Sequence, residues 1–103
     1  MPYMKSLSTC LNRMIQDGYT EDFQVSDEGL FGINNKSTYG PQQVKVVNFF
    51  RFEGMSDPDD NAVLYVIETA DGTKGTLIDA YGIYNDPRIS RYMRQVTDIN
   101  KNV

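Results

Sequence analysis

Leu7, Cys10, Leu11, Met14 and Ile15 recur three and four positions apart, with Asn12, Arg13 and Gln16 opposite them. That period predicts an amphipathic helix over Ser6–Asp17 with one core-facing stripe. Ser6, or alternatively Ser8, is placed to cap its first turn. Gly18 is placed to end it in a left-handed C-cap on which Tyr19 packs back. The period then shortens to two. Phe23 and Val25 alternate with Asp22, Gln24 and Ser26, the pattern of a short half-buried strand. Asp27-Glu28-Gly29 reads as a turn, Leu30–Ile33 as a return strand, and Asn34–Pro41 as a loop, the most mobile segment expected. Gln43–Glu53 reads as a third strand. Strict alternation puts Val44, Val46, Phe50 and Phe52 on one face, and Val47 and Phe49 with Lys45, Arg51 and Glu53 on the other. Apolar residues on both faces point to an interior place in the sheet.

Asn61–Ala70 and Thr73–Tyr81 read as a hairpin. Asp71-Gly72 is the dipeptide that a type I′ turn selects, because both central residues need positive φ. That turn would set Val66 opposite Leu77, Tyr65 opposite Ile78 and Leu64 opposite Asp79. Asp86 as N-cap and Pro87 at the first helical position open a final helix, with Ile89, Tyr92, Met93 and Val96 as its buried stripe. The reading is a single α+β domain over residues 1–103: an N-terminal helix, an antiparallel sheet of three to five strands, and a C-terminal helix. Both helices are expected on one sheet face, since each has one apolar stripe and they bracket the strands. The opposite face then needs cover from the loop Asn34–Gly40 or from a second subunit, so a homodimer or a shielding loop is expected.

Composition narrows the chemistry. The chain has 103 residues, a net charge of −4, one cysteine and no histidine. Without histidine there is no Ser-His or Cys-His nucleophile pair, no imidazole acid–base catalysis and no His-based zinc site. Cys10 alone excludes an internal disulfide and lies on the first helix's apolar stripe, where a thiol is inert. The charge is uneven: up to Ile83 twelve Asp and Glu outnumber six Lys and Arg, and from Tyr84 four Lys and Arg outnumber two Asp. An acidic body does not suit nucleic acid, which needs a concentrated basic face. The longest apolar run, Ala62–Ile67, is far short of a membrane span, and no basic segment leads into an apolar core at the N-terminus. A cytoplasmic location is therefore expected, with no membrane partner and no cofactor.

Four constellations are candidates for chemistry. Asp57, Asp59 and Asn61 fall at the first three ligand offsets of a calcium loop, with Glu68 eleven residues after Asp57. Ala62 stands where that loop needs glycine, and no helices flank it, so a polar inter-strand loop is the competing reading. Asp79 on an apolar strand must be paired, or else form a pocket with Tyr81 and Arg51 as acid or base. Arg88, Arg91 and Arg94 on the last helix suit an anion, or a solvated face beside an acidic body. Tyr81 and Tyr84 flank Gly82 and can line a groove, or a packed corner between the sheet and the last helix. The candidate ligand or interaction residues are Tyr81, Tyr84, Arg88 and Arg91.

The blocks Gly18-Tyr19-Thr20-Glu21-Asp22-Phe23, Arg51–Asn61 and Asp71-Gly72-Thr73-Lys74-Gly75, running into Asp79-Ala80-Tyr81-Gly82, resemble a group of small bacterial proteins often labelled phosphoribosyl pyrophosphate synthetase-like. The resemblance runs from about Leu7 to Tyr84. It implies a small bacterial α+β domain and carries no activity of its own. The synthetase itself places paired acidic residues before a glycine-rich Thr/Ser turn on a parallel strand. Here the nearest stretch, Val66–Thr73, has one acidic residue at that place, on an antiparallel hairpin. The functional expectation is a non-enzymatic binding or regulatory module. The alternative is a small enzyme or ligand-binding protein centred on Asp79, Tyr81 and Arg51.

Overall fold

A computed structural model of the chain describes residues 7–52, 62–80, 87–97 and 99. The elements are α1 (Leu7–Gln16), β1 (Glu21–Ser26), β2 (Gly29–Gly32), β3 (Thr38–Tyr39), a 3-10 turn (Pro41–Gln43), β4 (Val44–Phe52), β5 (Ala62–Thr69), β6 (Lys74–Ala80) and α2 (Pro87–Gln95). The caps expected at Ser6 and Asp86 lie outside the described residues. Where α1 ends, the expected motif is present. Gly18 takes φ 103°, its N–H donates to Ile15 O, and Tyr19 N–H donates to Met14 O at 2.9 Å.

The strands form one six-stranded mixed sheet in the order β3-β2-β1-β6-β5-β4. Two antiparallel meanders, β1-β2-β3 and β4-β5-β6, meet where β1 runs parallel to β6, with Glu21 opposite Gly75 and Asp22 opposite Thr76. This corrects the expectation of three to five antiparallel strands. Alternation reports which side chains are buried. It does not report that β1 and β6 each have one edge left over once the hairpins close, and that backbone groups on those edges need partners. The extra strand, β3, comes from the segment read as loop. Its Tyr39 is 4% exposed and packs edge-on against Phe23, with centroids 6.2 Å apart.

The hairpin β5–β6 forms, but not with the expected turn. Val66 pairs with Thr76, Tyr65 with Leu77, Leu64 with Ile78 and Val63 with Asp79. The loop has three residues, Ala70–Gly72, closed by Thr69 N–H to Thr73 O and Gly72 N–H to Thr69 O. Only Gly72 takes positive φ, 90°, while Asp71 does not. Asp71 is held by its side chain instead. Its Oδ1 accepts from Thr69 Oγ1 at 2.5 Å and from Thr73 N–H at 3.1 Å. A turn followed by one left-handed glycine moves the register by one residue, which reassigns every facing pair. A bulge at Val47 does the same within β4. Val44, Val46, Phe49 and Arg51 therefore share one face, and Lys45, Phe50 and Phe52 the other. β4 also lies at the end of the strand order rather than inside it.

The helices lie on opposite faces, not on one. α2 inserts Ile89, Tyr92, Met93 and Val96 against Phe23, Val25, Leu30, Val44, Val46, Ile67 and Leu77. In the observed register these strand residues all point the same way. α1 packs on β5 and β6 from the other side, where Leu64 and Val66 are fully buried. There Tyr19 Oη donates to Glu68 at 3.1 Å, and Lys74 sits over the Tyr19 ring. Over β5 and β6, the face for which a second subunit or the 34–40 loop was expected is thus covered by α1.

The seam between the meanders rests on Gly75. A Cβ there would run into the Glu21 backbone oxygen and approach Phe23 Cε2 at 2.7 Å. Gly72 meets only open space and needs its glycine for φ alone. Gly75→Ala is expected to cost about 3 kcal/mol, because backbone must shift. Gly72→Ala should cost about 1 kcal/mol. Urea denaturation checks the order, and equal costs would contradict a sterically tight seam.

Candidate functional site

Three polar arrangements stand out, and the sequence pointed directly at two of them. The first holds Arg51 and Asp79. They flank Val63 from β4 and β6 on one face, with strands about 4.8 Å apart. Tyr65 stands two positions along β5 on the same face, its ring 6.3 Å from that of Phe49. Burial pushes the Tyr65 hydroxyl up, the Asp79 charge adds to this, and Arg51 opposes it. Asp79 is buried and has a partner, while Arg51 is exposed. Asp79 faces Val63 and not Leu64, a consequence of the hairpin register. Tyr81, Tyr84 and the Asp57, Asp59, Asn61 loop lie outside the described residues.

The second arrangement is a groove of about 420 Å³ between the β1–β2 turn and α2. Arg88, Arg91 and Gln95 recur at helical spacing along one flank of α2 and form one wall. Asp27 and Glu28 at the hairpin tip form the other. Arg94 points away, because it falls off this flank. Val25 and Tyr92 supply apolar surface at the base. The base is fixed: Tyr92 Oη donates to Tyr39 O at 3.0 Å, tying α2 to β3, and burial raises the Tyr92 hydroxyl pKa far above its ordinary value. The turn is fixed as well. Ser26 Oγ donates to Gly29 O and accepts from Glu28 N–H, both at 3.2 Å. Among the described residues, no ion pair joins Asp27 or Glu28 to Arg91.

The third arrangement was not foreseen. Glu21 is 6% exposed, and its carboxylate gathers the 34–35 loop. Oε1 accepts from Asn34 N–H at 3.0 Å, Asn34 Nδ2 at 2.8 Å and Asp22 N–H at 2.8 Å, and Oε2 accepts from Asn35 N–H at 2.9 Å. Asn35 Nδ2 then donates to Tyr39 Oη, and Tyr39 Oη donates to Asp71 Oδ2 at 2.7 Å. The network links the loop to the β5–β6 turn. Hydrogen bonds from Thr69 first, then Tyr39 and Thr73, hold Asp71 well below the usual carboxylate range. A signal for Glu21 was present: it falls in phase with Phe23 and Val25, so alternation places it on the buried face. Asp27 and Glu28 read only as a turn, and nothing in the sequence sets them across from α2. Among the described residues, no three His, Cys, Asp or Glu side chains converge to hold a metal ion.

Burial alone would raise the Glu21 pKa, but the donors from Asn34, Asn35 and Asp22 outweigh it and hold the carboxyl below its ordinary value. A lowered native pKa contributes stability that is complete above the unfolded value and is lost as pH falls through the native value. Glu21→Gln sets an amide nitrogen against the Asn35 N–H and should cost about 2 kcal/mol at pH 7. The gap between wild type and variant should begin to narrow as the solution is taken to about pH 3, below the ordinary range of carboxylates, and close only below the lowered native value. A gap that persists unchanged in urea titrations at both pH values would show that the charge of Glu21 is not what holds the loop.

Compared with known families, curated proteins and solved structures, the chain matches none of them.

Proposed function

We propose that the chain is a non-enzymatic binding module whose ligand sits in the groove between the β1–β2 turn and α2. The observation that carries this reading is the groove itself: an open volume of about 420 Å³ in which Arg88 and Arg91 face Asp27 and Glu28 over an apolar base. Its size is within the range of small-molecule sites. Its walls stand on a helix and a hydrogen-bonded turn, so little ordering is needed on binding. The groups in it are suited to holding charge rather than to moving protons. Arginine stays protonated across the working pH range and suits the holding of charge.

A second reading keeps the site at Arg51, Tyr65 and Asp79, favoured by their shared face and by the charges acting on Tyr65. One experiment separates the two. A ¹⁵N-labelled sample is titrated with a library of small charged fragments. Amide shifts at Ser26–Gly29 and Arg88–Gln95 are expected, and Arg91→Glu should weaken the hits about tenfold, the loss of one charge-assisted contact. Shifts clustered at Val63, Tyr65 and Asp79, with none at the groove, would overturn the groove reading in favour of the second.

A further inference from the structure

The groove's charges specify more than the presence of a site. We propose that its ligand is a zwitterion, a free amino acid or a short unblocked peptide. Its carboxylate would lie against Arg91 and its ammonium against Asp27 and Glu28. The inference rests on the groove being the binding site.

The argument runs through what each wall still has to offer. Ser26 Oγ is used within the turn, as donor to Gly29 O and acceptor from Glu28 N–H. The hairpin tip therefore presents the carboxylates of Asp27 and Glu28 rather than its hydroxyl. Tyr92 Oη is used by Tyr39 O, so Tyr92 offers its ring. Gln95 donates to Arg91 O and keeps its own amide oxygen as an acceptor. What remains is a negative wall, the Arg91 guanidinium and apolar surface from Val25 and Tyr92 at the base.

A simple anion entering this space gains from the guanidinium groups and loses against the carboxylates. At separations of several ångströms in a wet groove these terms are of similar size and cancel. A simple cation meets the same cancellation. A nucleotide or phosphate, carrying two or more negative charges, enlarges both terms alike and gains no more from the groove. A ligand with one charge of each sign gains from both walls, and its body can cover the Tyr92 ring. Charge complementarity of this kind selects partners even where it adds little net affinity.

The probes are L-leucine, glycyl-leucine, N-acetyl-leucine and leucinamide, titrated into the ¹⁵N-labelled full chain. The free amino acid and the dipeptide should move the Ser26–Gly29 and Arg88–Gln95 amides. The acetylated and amidated forms should bind at least tenfold more weakly. Asp27→Asn combined with Glu28→Gln should erase the preference over N-acetyl-leucine, and Arg91→Gln the preference over leucinamide. These positions are exposed, and the same spectra report whether each variant keeps its fold. N-acetyl-leucine binding as tightly as leucine, with the same amides moving, would overturn the zwitterion inference and leave the groove as a binding site. No movement of groove amides with any of the four probes would overturn the zwitterion inference, and silence of the same amides in the fragment titration would overturn the groove reading as well.

Discussion

Two pairs of residues join the two meanders of this protein into one sheet. Glu21 opposite Gly75 and Asp22 opposite Thr76 form the parallel seam between two antiparallel meanders. The approach is close enough that position 75 tolerates no Cβ. The residue whose backbone forms the seam also turns its carboxylate to the 34–35 loop and holds it with three hydrogen bonds. One buried glutamate therefore fixes both the junction of the sheet and the loop beside it. A buried carboxylate is tolerable because donors surround it, as the downward shift of its pKa records.

The groove depends on the same seam. α2 packs on residues drawn from both meanders, from Phe23 and Leu30 to Val46 and Ile67. Its placement over the β1–β2 turn follows only once the meanders share a sheet. Tyr92 then bonds to Tyr39 on the short third strand, and the flank bearing Arg88 and Arg91 faces the turn. The functional surface is thus assembled from two local elements that have no sequence relation to one another. That explains why Arg88 and Arg91 were readable as candidates while their opposite wall was not.

Helix stripes and the α1 C-cap were legible, while turn type, register and strand order were not. The stripe Ile89, Tyr92, Met93 and Val96 is buried as its spacing requires, and Gly18 ends α1 as its position suggests. Asp71-Gly72 marked a hairpin, but the dipeptide suits two turn types. The side-chain bonds of Asp71 to Thr69 and Thr73 choose the one in which only glycine is left-handed. The bulge at Val47 left no trace either, because a β-branched residue fits either face of a strand. Two amphipathic helices are as consistent with opposite faces as with one, and only strand order decides. Of the candidate site, Arg51 and Asp79 do share a face, but that follows from three strands being adjacent and could not be counted from spacing.

The seam also bears on how the chain folds. Within each meander consecutive strands are separated by at most nine residues of chain, whereas Glu21 and Gly75 lie about fifty residues apart. Closing a loop of that length costs roughly 2 kcal/mol more entropy than closing a hairpin of a few residues. Two hydrogen-bonded pairs are a small return for it, and the burial of α2 across both halves supplies the rest. On chain-entropy grounds the meanders are early, local events and their joining a late one. A groove walled by α2, which packs on both halves, then exists only in the fully folded chain.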